Sequence, residues 1–331
     1  MSAQQHTEIA GRRGEKGKGV TRHAWWPWTK RVLTVLFFAA IGYLLYTQAR
    51  EVEWDEVWTS IRRRPAGTML AAMAFAAASY ATYSCFDLFG RYVTRHGLAV
   101  PKVMTVNFVS YAFNLNMGAL VGGVAFRYRL YSRFGLDTAT TTRVVAMSML
   151  TNWLGYLLLA GLAFLWAPPE PPPDWKLDVG GLRVLGAALL AAAIAWLLLC
   201  AFSRRRTWTV RGHEIELPSL RLALLQLGVS TFNWLLIAAT VYTLLEHKIM
   251  FPTVLAVMLV AAVAGVITHV PAGLGVLETV FVVLLSHQVP RSELLAALLA
   301  YRGIYYLLPL AVATVVYLAL EVRARRAGRV L

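Results

Sequence analysis

Asp87, Glu278 and Arg302 stand in or against long apolar runs of the sequence. An ionised side chain at mid-bilayer costs roughly 2.5–3.5 kcal/mol on insertion scales, so each of them requires a partner, water or a task. Arg302 lies among Tyr301, Gly303, Tyr305 and Tyr306, too far inside the last apolar run for its side chain to reach the surface, and a functional role is favoured. Glu278 follows a break containing Pro271, Gly273 and Gly275. A carboxylate in a first turn complements the helix dipole wherever it occurs, but here the helix would start inside the membrane, which again favours function. Asp87 carries two readings of equal weight, a solvated helix end near Arg91 or a buried acid.

Arg127 and Arg129 directly follow Gly122-Gly123-Val124-Ala125-Phe126. Basic residues at a cytoplasmic loop are ordinary, yet guanidinium groups at the exit of a polar segment can hold a phosphate bidentately. Asn114 and Asn116 either hydrogen-bond a lipid headgroup or satisfy the backbone of their own turn. His269 reads first as a packed residue and only second as a proton carrier. The sequence has no Gly-x-Ser-x-Gly elbow, no His-Glu-x-x-His pair and no acidic pair spaced for a metal. No catalytic residue, metal or cofactor is therefore expected, and the protein is expected not to be an enzyme. Cys85 and Cys200 both fall inside apolar runs and have no zinc-ligand spacing.

The elements that must position these residues are membrane helices. Residues of the set AVILMFWYC make up 58% of the 331, and the 24 glycines bring the apolar share to about 65%, against roughly 45–50% in a soluble domain. Only 15% are charged, too few for a water-facing skin, which excludes an ordinary soluble enzyme, a disordered chain and a disulfide scaffold. The net charge of +15 lies in short clusters between apolar runs, so it reads as membrane topology and not as a nucleic-acid face.

Six segments are long enough to span, at 31–49, 66–88, 144–167, 181–203, 219–245 and 293–321, given about 20 residues per crossing. Two more, 103–123 and 253–287, are apolar but interrupted: by Gly118, Gly122 and Gly123 in the first, and by Pro271, Gly273 and Gly275 in the second. If neither crosses and the N-terminus is cytoplasmic, 23 Lys and Arg lie inside, 8 lie outside and Arg302 lies within. The expected fold is an all-α integral membrane protein with about six spanning helices and two re-entrant hairpins in an inverted repeat, the plan of transporters with a midplane site. The expected organisation is a basic tail over 1–31, a first repeat over 32–167, a Pro-rich external linker over 168–180, a second repeat over 181–321 and a basic tail over 322–331. Both termini are expected to be cytoplasmic.

Three motifs, in order along the chain, resemble those of the lysylphosphatidylglycerol synthase transmembrane family: Asn114-Leu-Asn-Met-Gly-Ala-Leu-Val-Gly-Gly-Val-Ala-Phe-Arg127-Tyr-Arg129, Pro271-Ala-Gly-Leu-Gly-Val-Leu-Glu278 and Tyr301-Arg302-Gly-Ile-Tyr-Tyr-Leu-Leu-Pro309. The resemblance covers about Val32 to Glu321 and implies a stand-alone, YbhN-like member without the soluble synthase domain. It further implies a flippase moving phospholipid headgroups across a bacterial inner membrane, with Asp87, Arg127, Arg129, Glu278 and Arg302 as its polar set. The lipids would be anionic or aminoacylated; no nucleic-acid partner is expected, and oligomerisation is left open. Two other functions remain: an enzyme or accessory subunit acting on a lipid-linked substrate, and an ion or small-solute transporter.

Overall fold

The computed structural model describes residues 55, 59, 62–170, 178–203, 207–210, 213–268, 270 and 273–327. The expected first span at 31–49, the basic tail before it, His269 and Pro271 lie outside the described residues.

The Ala-rich helix α1 (Ala66–Ser84) follows Pro65 and bends at Cys85 into α2 (Phe86–Thr94), and the two make one candidate span. Arg95, in the left-handed conformation with φ 53°, ends α2. Helix α3 (Val100–Met117) starts with Pro101 in its first turn, where the missing N–H has no intrahelical partner to lose. It stops at Gly118, whose φ of 83° and ψ of 166° suit a residue without Cβ. The chain then turns back through a π-helical segment (Ala119–Ala125) into α4 (Phe126–Arg133), and the returning arm packs on α3. Gly122 makes that closure possible: a Cβ there would fall 2.2 Å from the carbonyl of Phe113. The rings of Phe113 and Phe126 stack between the arms, with centroids 4.1 Å apart.

Helix α5 (Thr138–Trp166), capped by Asp137, packs closely on α6 (Val179–Phe202), capped by Asp178. Gly161 and Gly186 face each other across that interface and let the backbones approach, since a Cβ on Gly186 would stand 3.0 Å from the Gly161 carbonyl oxygen. A short antiparallel hairpin, β1 (Thr207–Val210) with β2 (His213–Glu216), follows α6. It is the one departure from an all-helical chain among the described residues, and its Thr-Trp-Thr-Val strand has the β-branched and aromatic content that favours extended pairing.

After Ser219, α7 (Leu220–Leu244) leads into a second hairpin, formed by α8 (Phe251–Thr268) and α9 (Val276–Leu285), which pack against each other. Helix α10 (Arg291–Tyr301) then passes through a second π-helical segment (Arg302–Leu307) into α11 (Leu308–Ala327). The order of span, hairpin and span thus occurs twice.

Six helical stretches among the described residues are long and apolar enough to cross a membrane: Ala66–Thr94, Thr138–Trp166, Val179–Phe202, Leu220–Leu244, Phe251–Thr268 and Arg291–Arg323. Five correspond to expected spans. The sixth, α8, belongs to the segment expected not to cross. Its 18 residues, like the 18 of α3, extend about 27 Å at 1.5 Å per residue. Length therefore does not separate a hairpin arm from a crossing helix; α9 packs back along α8.

Candidate functional site

The tips of the two hairpins meet at the second π-helical segment. Its origin is legible in Pro309, which has no N–H to offer the Tyr305 carbonyl one turn earlier. The helix widens over Arg302–Leu307, and the Leu308 N–H reaches back to the Gly303 carbonyl. The freed acceptors are used by other elements: the Tyr80 hydroxyl of α1 donates to the Tyr305 carbonyl at 3.0 Å, and Asn116 Nδ2, at the tip of the first hairpin, donates to the Tyr306 carbonyl at 3.3 Å and to Ala112 at 2.8 Å. Such π-segments recur at functional positions because they aim groups that a regular helix would hold in its own ladder.

The second hairpin reaches the same segment through Arg302. Its Nε and Nη2 bond the Glu278 carboxylate in a fork, with Nη2 to Oε2 at 2.9 Å, and Nη2 also donates to the Gly273 carbonyl at 2.9 Å. The guanidinium lies 5.3 Å from the centre of the Tyr306 ring. The Arg302 and Glu278 side chains are 10% and 16% exposed, so the pair is largely closed but not sealed. Gly275, left-handed at φ 76°, starts α9 and thereby sets Glu278 in its first turn, where the helix dipole supports the carboxylate. Arg302 lies roughly 16 Å along its helix from Arg291, within the apolar stretch Arg291–Arg323 that is long enough to cross a membrane.

A second buried pair lies beside the first hairpin. Arg127 is 3% exposed and Asp87 is wholly buried. Arg127 Nε bonds the two Asp87 oxygens at 3.1 and 3.3 Å, Nη1 bonds the Gly123 carbonyl at 3.1 Å, and Nη2 bonds Asn107 Oδ1 and, at 3.3 Å, Ser148 Oγ. The Tyr131 hydroxyl donates to Asp87 at 2.8 Å, and Asn107 donates to the Tyr83 carbonyl at 2.7 Å, next to the bend between α1 and α2. One guanidinium therefore ties α2, α3, α4, α5 and the first π-segment together. The reading of Asp87 as a solvated helix end beside Arg91 does not fit this burial.

The polar set implied by the resemblance is not gathered in one place: Arg127, Arg129 and Arg302 stand apart. Residues two apart on a helix face opposite ways, so Arg127 enters the core while Arg129, 56% exposed, stands 3.6 Å from Glu321 and 5.8 Å from the Tyr317 ring. Arg133 also pairs with Glu321. Asn114 lies inside the first hairpin: its carbonyl accepts from the Gly118 N–H at 2.9 Å, and its Oδ1 fills the space that a Cβ on Gly123 would approach to 3.0 Å. Of the two roles open to it, the geometry gives it closure of the hairpin.

Residues that the sequence reading passed over complete the centre. Ser79 Oγ bonds Asn233 Oδ1 at 2.8 Å and the Tyr305 hydroxyl at 2.6 Å, and that hydroxyl also lies 3.1 Å from the Tyr111 hydroxyl. Asn233 Nδ2 and Ser110 Oγ are buried with no hydrogen-bond partner among the described residues, as expected where water or a polar ligand completes the pairing. Asn233 shares its helix with a second buried amide, Gln226, and with Ser230 and Thr240, so its residue type alone does not single it out.

The sequence profile of the family described as "Lysylphosphatidylglycerol synthase TM region" matches residues 31–313. This chain belongs to that family. It is 44% identical over 305 residues to "Inner membrane protein YbhN" of Escherichia coli (strain K12), covering 92% of this chain and 96% of that protein. It is 30% identical over 297 residues to "Uncharacterized protein slr0712" of Synechocystis sp., covering 89% and 92%. Similarity to "Phosphatidylglycerol lysyltransferase" of Staphylococcus haemolyticus, 22% identical over 293 residues, takes in 86% of this chain but only 33% of that protein. The chain is a membrane protein of a family related to lysylphosphatidylglycerol synthase, and it spans about a third of the length of the lysyltransferase relatives. Among the described residues no cluster of His, Cys, Asp and Glu is arranged to hold a metal ion.

Proposed function

We propose that the protein is a phospholipid flippase of a bacterial inner membrane, a transporter and not an enzyme, with both termini in the cytoplasm and both hairpins re-entrant. The observation that carries this reading is the convergence of the two hairpin tips, through Asn116 and through Gly273 and Glu278, on one π-helical segment inside an apolar helix. A lipid phosphate takes the place of the Glu278 carboxylate on Arg302. The exchange matters energetically, because removing one partner of a buried ion pair costs about 3–5 kcal/mol whereas replacing it with another anion leaves the guanidinium satisfied. The displaced Glu278 can hold a cationic group of the same headgroup. The acyl tails stay in the bilayer, so the protein need only lower the desolvation barrier of the headgroup.

The test is leaflet exchange of fluorescent phospholipids in vesicles containing the purified full chain. Exchange above protein-free vesicles is expected, with at least a tenfold loss in Glu278→Gln and in Arg302→Gln. Wild-type exchange no faster than in protein-free vesicles refutes the function; exchange unchanged in both variants refutes the site. Chemical conversion of the lipid without movement would favour the enzymatic alternative.

A further inference from the structure

A second polar feature lies well away from the π-segment. Between the end of α2 and the start of α7 is a cleft of about 700 Å³ whose lining includes Arg91, Tyr92, Arg95, His96, Pro218 and Ser219. Three of these are basic or titrate near neutrality, and no carboxylate occurs among the cleft's described lining residues. Ser219 caps α7, accepting from the Leu222 N–H at 3.3 Å, so the positive end of a 25-residue helix borders the same space. Arg91 is anchored by its Nε on the Leu98 carbonyl at 2.7 Å. His96 Nδ1 takes the Leu98 N–H at 3.4 Å, and its buried Nε2 has no partner among the described residues. The cleft joins the ends of two candidate spans, Ala66–Thr94 and Leu220–Leu244, and the ends of membrane-crossing helices are where headgroup phosphates are met. Tyr92, 69% exposed, has the amphipathic ring favoured there.

We infer that this cleft is a phosphate-binding site in which Arg91, Arg95 and His96 hold the anion at the membrane surface. Guanidinium forks suit phosphate oxygens, and a lining whose only side chains that are charged or titrate near neutrality, among the described residues, are Arg91, Arg95 and His96 disfavours a headgroup whose phosphate is already paired with an ammonium. The site goes beyond the transport reading and does not depend on it. On the topology proposed above, it is where an anionic headgroup would first be held before reaching the hairpin tips.

The group most sensitive to pH is His96. Burial and the Arg91 guanidinium lower it from the usual 6.5, Asp87 acts in the opposite sense, and the Tyr131 ring lies 6.4 Å away. Arg95 adds further positive charge on the cleft side. A bound phosphate favours the imidazolium, so affinity rises as pH falls through the imidazole range.

Binding is read from thermal stabilisation of the full chain in detergent, because a ligand of the folded state raises its melting temperature by mass action. The probes are inorganic phosphate, short-chain phosphatidylglycerol and short-chain phosphatidylcholine. Saturable stabilisation by either of the first two, exceeding that by phosphatidylcholine, is expected. Response to the lipid alone assigns the site to a headgroup, and response to both or to inorganic phosphate alone assigns it to the free anion. Arg95→Asn should bind about tenfold more weakly, equal to 1.4 kcal/mol, and it should fold normally because Asn tolerates the left-handed conformation. Arg143→Gln, an exposed cation outside the cleft, should bind as the wild type does. Absence of saturable binding, or binding as tight as the wild type's in both Arg95→Asn and Arg91→Gln, overturns the site. Neither result bears on lipid exchange, so failure here is distinct from failure of the flippase reading.

Discussion

Replacing Asp87 with Asn tests a wholly buried charge, the most buried among the described residues. Arg127 presents its Nε, Nη1 and Nη2 to acceptors, but Asp87 alone among them carries a negative charge. The side chains are 4% and 0% exposed, so little solvent is available to screen the cation once the carboxylate is gone. Removing one member of such a pair costs about 3–5 kcal/mol, because the remaining charge stays buried without compensation. The upper half of that range is expected, since Asp87 also accepts from Tyr131 at 2.8 Å and an amide nitrogen turned toward that hydroxyl loses the bond. Changing both residues, Asp87→Asn with Arg127→Met, removes the uncompensated charge and should recover at least half of the loss. Equilibrium unfolding in mixed micelles gives all four corners of the cycle. A single-variant cost below about 1 kcal/mol, or a double variant equal to the sum of the singles, would refute the reading of this pair as the clamp of the first hairpin.

Three further substitutions probe the remaining elements. Gly122→Ala should destabilise by about 1–3 kcal/mol or more, because its Cβ meets backbone, whereas Gly228→Ala, which points into open space on α7, should be neutral or stabilising; equal effects in the same unfolding assay would contradict the close packing of the first hairpin. Pro309→Ala supplies the N–H that the Tyr305 carbonyl lacks, so the π-segment should tighten toward an α-helix, with a higher melting temperature and slower lipid exchange; unaltered exchange would show that the widened helix is not needed. In a chain freed of Cys85 and Cys200, cysteines at Ser132 and Arg205 should be labelled only from the cytoplasmic side, and labelling from outside would overturn the proposed topology.

Much of the chemistry was visible because charges in apolar runs are expensive. Glu278 and Arg302 were recognisable as residues needing partners, and the structure pairs them with each other. Asp87 and Arg127, 40 residues apart, were each noticed without any sign that they form one pair. Nothing local joins them; they meet because the returning arm of the first hairpin lies against α2 and α5. The separation of Arg129 from Arg127 was recoverable from helical geometry alone, given that the residues after Gly123 form a helix. The central set of Ser79, Tyr111, Asn233 and Tyr305 was not, since neutral polar residues are common enough in membrane helices that only contact across α1, α3, α7 and the π-segment singles them out.

The sequence by itself determined the class of the protein, its apolar helices, the breaks at Gly118 and at Gly273 and Gly275, and the family. These follow from composition, run length and backbone permissiveness, which are properties of short stretches. Only the tertiary structure decided which charges are partners, that three arginines serve three separate places, and that both breaks converge on Arg302–Leu307. The physical reason is that a buried polar group is stable only when its partners are present, and those partners lie on elements distant in the chain, brought together by packing that no local pattern encodes.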